Sequence, residues 1–358
     1  MLFPTTVVGS LPRPEYVKDL LNLKTNNNSE NIYREKQINN ALEFVISMMN
    51  QSGIDIITDG EWRRKSYTDV FAQMASGFVE GEKVGKEFSI VGNKKAYGYV
   101  VIDKIKHVEN FIANETYFAK SHTKRKLKIC IPSPFILGQR MWHKGVSDHA
   151  YPNEHDFIND TIQILRNEIR EIQKIGVETI QIDEPTLSSF IDPIEIKNFS
   201  NPKKDLDFLI ECINQITHGF DNINFALHIC RFNRGRLGWR NEGGYQPILP
   251  ALKKINVQEF TLEFSIPVAG DYEILKRLPE DKNIALGCVD CRQPTIETPE
   301  TIAKRVEIAL NFIDKERILL SPDCGFAPAI SSDIPLDEAY KKLQNEVKAA
   351  ILLRDKYS

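Results

Sequence analysis

Eight short β-forming runs recur along the chain, each separated from the next by a stretch with helical patterning. We read strands over Thr5–Gly9, Ile54–Thr58, Leu127–Ile131, Glu178–Asp183, Ile223–Cys230, Val257–Phe264, Asn283–Val289 and Arg317–Ser321. Strands alternating with helices predict a parallel sheet, and eight such units predict a TIM (β/α)8 barrel of the α/β class. The helices between them carry their own signals. Phe157, Ile158, Ile162, Leu165, Ile169 and Ile172 fall on one side of a helix expected over Asp156–Ile175, with Gly176 as its stop. Thr298 and Pro299 open another, and the last is expected over Leu336–Leu353. Two stretches exceed a minimal barrel. Residues 23–36 are polar and read as a loop between helices. Residues 77–126 alternate Val, Ile, Tyr and Gly and read as an inserted extended segment. No linker divides the chain, so residues 1–358 read as one barrel domain.

Charge excludes one large class of partner. The 46 basic and 49 acidic residues give a formal net charge of −3, whereas nucleic-acid binders usually show a basic excess. No apolar run reaches the length of roughly 18 residues that a membrane span needs, so no membrane is expected as a partner. The first residues lack the pattern of a signal peptide, and six scattered cysteines are too sparse for a disulfide scaffold. Reduced thiols or metal ligands in a cytoplasmic protein are the expectation.

Barrels of this type place their chemistry at the C-terminal ends of the strands. Here those ends carry Gly9-Ser10, Asp59-Gly60-Glu61, Asp183-Glu184, His228-Ile229-Cys230, Glu263, Asp290 and Asp323-Cys324-Gly325. Structural residues alone would not collect so many carboxylates and thiols. His228 and Cys230 are two apart on a strand, so both face one side. Imidazole and thiolate suit zinc, and a core cysteine beside a hydrogen-bonded histidine is the other reading. Cys324 and Glu263 can complete a metal set if the strands converge. The Cys288–Cys291 pair forms a CxxC, a rival metal or redox motif. Four arginines follow Cys230, beginning with Arg231, and suit an anionic substrate group.

Six motifs in order resemble the catalytic half of the cobalamin-independent methionine synthase family. They are FPTTVVGSLP (3–12), TDGEWRR (58–64), IDEP (182–185), HICR (228–231), LEFS (262–265) and SPDCG (321–325). The pattern looks nearest the short single-domain branch that includes epoxyalkane:coenzyme M transferase. The resemblance implies a Zn2+ ion held by His228, Cys230, Glu263 and Cys324. It implies a thiol pocket formed by Val8, Gly9, Ser10, Glu61 and Asp183, with the last two holding an amino group. Asp290 is a candidate catalytic residue. The implied reaction is methyl transfer to a small-molecule thiol, with homocysteine giving methionine.

Two positions depart from the family. Arg292 stands where a proton-donating histidine is expected, and arginine keeps its proton near neutral pH. Ser189 stands where the family has an acidic pteridine-binding residue. Both point away from methyl-tetrahydrofolate and toward a methylated corrinoid or corrinoid protein, a sulfonium or an epoxide. Alkyl transfer to another thiol such as coenzyme M is the alternative within this chemistry. A metal-free barrel resembling uroporphyrinogen decarboxylase, or a non-catalytic thiol-binding or zinc-binding protein, is the alternative outside it.

Overall fold

The structure is a computed structural model that describes residues 1–23, 27–86, 89–91, 94–96, 98–327 and 334–358. Its strands are β1 (Ile56–Ile57), β2 (Ala75–Glu80), β3 (Ser89–Val91), β4 (Lys94–Ala96), β5 (Tyr99–His107), β6 (Lys126–Pro132), β7 (Thr179–Asp183), β8 (Asn224–Ile229), β9 (Glu259–Glu263), β10 (Asn283–Val289) and β11 (Ile318–Pro322). Seven of them form one sheet in the order β1-β6-β7-β8-β9-β10-β11, every pair parallel. Buried runs such as Leu127–Pro132 and Ile284–Val289 explain this, because parallel strands are covered on both faces.

The sheet closes through the amino-terminal segment. Thr5 bridges Leu320 and Thr6 bridges Ile56, both parallel. Hydrogen bonds run from Thr6 N to Leu320 O at 2.9 Å and from Ile56 N to Thr5 O at 3.0 Å. The expected first strand is therefore a two-residue seam, and the protein is a TIM barrel whose eighth staff is this seam.

Helix signals in the sequence hold with shifted ends. The helix Glu154–Lys174 is capped by Asn153, whose side chain accepts from Asp156 N. Thr298 caps Pro299–Ala309 in the same way, and the last helix extends to Tyr357. The polar stretch at 23–36 is mostly helix. Asn27 accepts from Ser29 N and starts Asn28–Ser52, whose first turns are solvent-facing and so lack the apolar periodicity that marks a helix. Residues 24–26 of that expectation lie outside the described residues. The inserted segment holds the antiparallel pairs β2–β5 and β3–β4, followed by a helix over Phe111–Ser121. The sequence reading missed that helix. Beyond β8 the βα alternation thins. The β8–β9 connection holds 3-10 turns and the four-residue helix Leu249–Leu252, and the β9–β10 connection holds only 3-10 turns.

The insertion helix supplies a buried partner to the barrel. Arg64 Nη2 lies 2.9 Å from Glu115 Oε2, both nearly solvent-free, and Arg64 Nη1 donates to Cys130 O at 2.8 Å. Burial, opposed by Arg64, lifts the Glu115 carboxyl to about 7. Arg64→Met therefore strands a buried carboxylate, and the loss is expected to be about 3–5 kcal/mol at pH 8. It shrinks at pH 5, where the stranded group takes up a proton. Urea unfolding at the two pH values measures this; equal midpoint shifts at both would refute the charge account.

Candidate active site

Strand register sets the level of the site. Pro132 pairs with Asp183 and Asp183 with His228, so the ends of β6, β7 and β8 align. His228 pairs with Thr261 on β9, and Glu263 with Gly287 on β10. Gly287 is required there, because a Cβ would meet Leu262 O at 2.7 Å and the Asp323 carboxylate.

Two groups of ligand-type side chains converge at this end, and within each the ligand atoms lie within 4.8 Å of one another. The first is His228, Cys230 and Cys324. Cys324 Sγ is 3.2 Å from Cys230 Sγ and 3.6 Å from His228 Nε2. Both cysteines are free thiols, and 3.2 Å far exceeds a disulfide bond. Asn233 N donates to Cys230 Sγ at 3.4 Å. The bond from Cys324, set against burial and aided by His228, holds the Cys230 thiol well below the usual thiol range. His228 loses basicity to burial, but bonding to Cys230 and the charges of Cys230, Asp183 and Glu263 raise it overall. Among the described residues, His228 Nδ1 is buried without a hydrogen-bond partner.

These side chains fit a metal. Bonds of about 2.3 Å to sulfur and about 2.1 Å to nitrogen put neighbouring ligand atoms of a tetrahedron roughly 3.4–3.8 Å apart. The observed spacings and the poised thiolate suit a borderline-soft ion. Glu263 does not join the group. Its Oε1 accepts from Arg231 N at 2.9 Å, and its Oε2 pairs with Arg292 Nη2 at 2.7 Å.

The second group is Glu61, Cys130 and Asp183. Two carboxylates so close favour a cation between them. Burial first, and then the neighbouring Asp183 and Asp59 charges, raise the Glu61 carboxyl to about 7 against the pull of Arg64 and Arg13. Burial likewise raises Asp183. Glu61 has φ of 59°, a left-handed conformation costly for a residue with a side chain. Arg13 Nη2 and Arg64 N both donate to Glu61 O, at 2.6 and 3.1 Å, and hold it there. Gly9 makes the close approach possible, since a Cβ would lie 2.5 Å from Glu61 Oε1. Val8 O accepts from Gln181 Nε2 at 2.8 Å, and Ser10 O accepts from Phe326 N at 2.9 Å, tying this loop to the Cys324 turn.

The other expected residues lie elsewhere. The Arg231 side chain is fully buried, donating to Gly243 O at 2.6 Å with its guanidinium 4.9 Å from the Tyr245 ring centre. Asp290 Oδ1 accepts from Arg292 N at 2.7 Å and shapes the turn after β10. Cys288 and Cys291 join neither ligand group among the described residues, and burial raises both thiols. Cys130, Gln181 and Asn233 were missed. Gln181 could have been found: it is polar in a buried strand and two residues before Asp183, hence on the same face.

A parallel barrel that gathers thiols, an imidazole and paired carboxylates at its C-terminal end defines a barrel enzyme with a candidate metal centre. Comparison with known proteins narrows the class. The family model described as "Cobalamin-independent synthase, Catalytic domain" matches residues 3–351. A protein of Saccharolobus solfataricus named methionine synthase is 28% identical over 355 residues, covering 99% of this chain and 96% of that one. Its counterpart in Sulfurisphaera tokodaii is 26% identical over 356 residues, covering 99% and 93%. In fold, the chain is similar to a B12-independent methionine synthase of a Shewanella species solved in complex with selenomethionine, with TM-score 0.78, 23% identity and 99% of each chain covered. The chain belongs to the cobalamin-independent methionine synthase family, as a barrel of its catalytic-domain type, and is thus a methyltransferase. No helix among the described residues is long and apolar enough to cross a membrane.

Proposed function

We propose that this protein, as one barrel domain, transfers a methyl group to the thiol of homocysteine to give methionine, with zinc held by His228, Cys230 and Cys324. The convergence of those three ligand atoms within 4.8 Å carries the reading. Relatives of nearly the same length that bear the name methionine synthase support the acceptor. Bound there, zinc would lower the pKa of a substrate thiol and present it as a nucleophilic thiolate at neutral pH.

The chain's own residues do the rest. Glu61 and Asp183 hold the ammonium of the amino acid, and Val8 and Ser10 line the same pocket. Gln181 Nε2 donates to Asp183 Oδ1 at 2.7 Å and fixes its direction. Arg292 supplies no proton to a departing group, since Glu263 and neighbouring negative charges, working against burial, push its pKa further up. The donor is therefore one whose leaving group departs without protonation from that position, and a sulfonium fits. The family's description as cobalamin-independent argues against a corrinoid.

Metal analysis and a thiol-consumption assay test this together. About one zinc per chain is expected. Homocysteine is expected to be methylated and coenzyme M not, when each is offered with S-methylmethionine, methyl-tetrahydrofolate and methylcobalamin. Zinc content below a tenth of that value in protein kept reduced, or turnover only with coenzyme M, would overturn the proposal.

A further inference from the structure

Cys130 has no role in the chemistry above, yet it completes a ligand-type group in the acidic pocket. It lies on β6 and is 2% exposed. Its Sγ and one carboxylate oxygen each of Glu61 and Asp183 lie within 4.8 Å of one another. Three separate elements supply them: the loop after β1, the strand β6 and the end of β7. Cys130 pairs in register with Gln181, two residues before Asp183, so thiol and carboxylate share one face of the sheet. The nearby guanidiniums are committed elsewhere. Arg13 Nη2 donates to Glu61 O, and Arg64 donates to Cys130 O and pairs with Glu115. A second observation points the same way. Gln181 is fully buried and reaches into the group: its Nε2 donates to Val8 O at 2.8 Å and Asp183 Oδ1 at 2.7 Å, and lies 3.6 Å from Cys130 Sγ. Its Oε1 has no hydrogen-bond partner among the described residues. Cys130 Sγ itself donates to Val8 O at 3.2 Å. The pocket thus gathers two carboxylates, a thiol and a spare amide oxygen, all of them acceptors once the thiol has lost its proton.

We propose that Glu61, Cys130 and Asp183 form a second metal site, separate from the His228–Cys230–Cys324 group, that takes a borderline divalent ion such as zinc when no amino acid is bound. One thiolate and two carboxylates suit such an ion, whereas magnesium and calcium take oxygen ligands. The three ligand atoms need to close by up to about 1 Å to reach the edge length of a zinc tetrahedron. The Cys130 proton leaves to solvent on binding, and Val8 O keeps its bond from Gln181. The ion fills the place that the substrate ammonium takes under the reading above, so excess zinc and the amino acid exclude each other. That exclusion rests on the pocket reading; the ion site itself does not.

Zinc titration of the full chain as isolated, in competition with a chelator, tests this. A second equivalent is expected, weak enough to leave on desalting. Cys130→Ser is expected to bind that second equivalent about tenfold or more weakly while keeping the first. Cobalt added to the zinc-loaded protein is expected to give one thiolate charge-transfer band that Cys130→Ser lacks, and magnesium in about a hundredfold excess is expected not to displace the ion. Methionine at about ten times its own dissociation constant is expected to weaken the second equivalent about tenfold. Uptake that stops at one equivalent, retained by Cys130→Ser, would refute the site, as would a second equivalent or a cobalt band that Cys130→Ser leaves unchanged. If Cys130→Ser does not fold, Glu61→Gln takes its place, with the same loss of the second equivalent expected. A second equivalent that depends on Cys130 but ignores methionine would fail the amino-acid pocket and leave the ion site standing.

Discussion

Replacing Cys324 with serine is expected to strip the metal from the protein and remove methyl transfer with it. Cys324 Sγ lies 3.2 Å from Cys230 Sγ and 3.6 Å from His228 Nε2, in contact with both other ligand side chains. Without it only one sulfur and one nitrogen remain, and Glu263 is held by Arg231 N and Arg292. A serine hydroxyl stays protonated near neutral pH and is a poor ligand for a soft ion. Zinc content is expected to fall from about one per chain to below about a tenth, and turnover by about a thousandfold or more. Elemental analysis of protein purified under reducing conditions, paired with the methylation assay, reads both. Cys291→Ser is the control, because that thiol stands outside the ligand group and should keep its zinc. Full zinc occupancy in Cys324→Ser would dismiss the site as drawn.

Removing one negative charge from the acidic pocket is expected to give the next largest effect. Glu61→Gln and Asp183→Asn each keep shape and volume. Each leaves a buried ammonium with one counter-charge instead of two, and such losses run to about 2–5 kcal/mol, or a rise of about thirtyfold or more in KM for homocysteine. Zinc content should not change. The pH dependence follows from burial. Glu61 is lifted to about 7, so it is mostly neutral below that pH and charged above it. Its folded-state pKa exceeds its unfolded value, so keeping it buried costs no stability at low pH; the cost builds as pH rises from the ordinary glutamate range toward about 7 and is complete above it. A bound ammonium offsets that cost, so affinity for the amino acid should rise over the same interval. Titrating metal-free protein with methionine, whose thioether does not ionise, isolates the effect between pH 6 and 8. A profile unchanged by Glu61→Gln would mean that another group titrates.

Much of this was legible in the chain. Strand ends are marked by abrupt polar residues after apolar runs, because a buried parallel strand tolerates polarity only where it leaves the sheet. That put His228, Cys230, Glu263 and Cys324 among the strand-end residues as candidate ligands, while the pairing of Glu61 with Asp183 came from the family resemblance. Distance across a barrel is not encoded locally, so the strand-end pattern alone does not say which of these side chains meet. Arg231 read as a mouth residue from its place in an arginine-rich loop. The structure turns it inward, because Glu263 Oε1 takes its backbone N–H and Gly243 O takes its side chain. Pairing of that kind depends on residues 12 and 32 positions away, beyond any periodicity. The helix at Phe111–Ser121 was hidden for a related reason. Its buried Glu115 answers Arg64 across the fold and breaks the apolar pattern that would have announced it.

Thr5 and Thr6 bridge the barrel's two edges, Pro4 O accepts from Leu320 N at 2.8 Å, and Arg354 clips the same stretch by donating to Leu2 O at 2.9 Å and Phe3 O at 2.8 Å. The pocket loop at Val8–Ser10 begins two residues later. Loosening that short stitch would therefore widen the amino-acid pocket while the long parallel ladder opposite stays intact. Stiffening the seam would therefore strengthen the molecule while holding the adjoining pocket loop more rigidly.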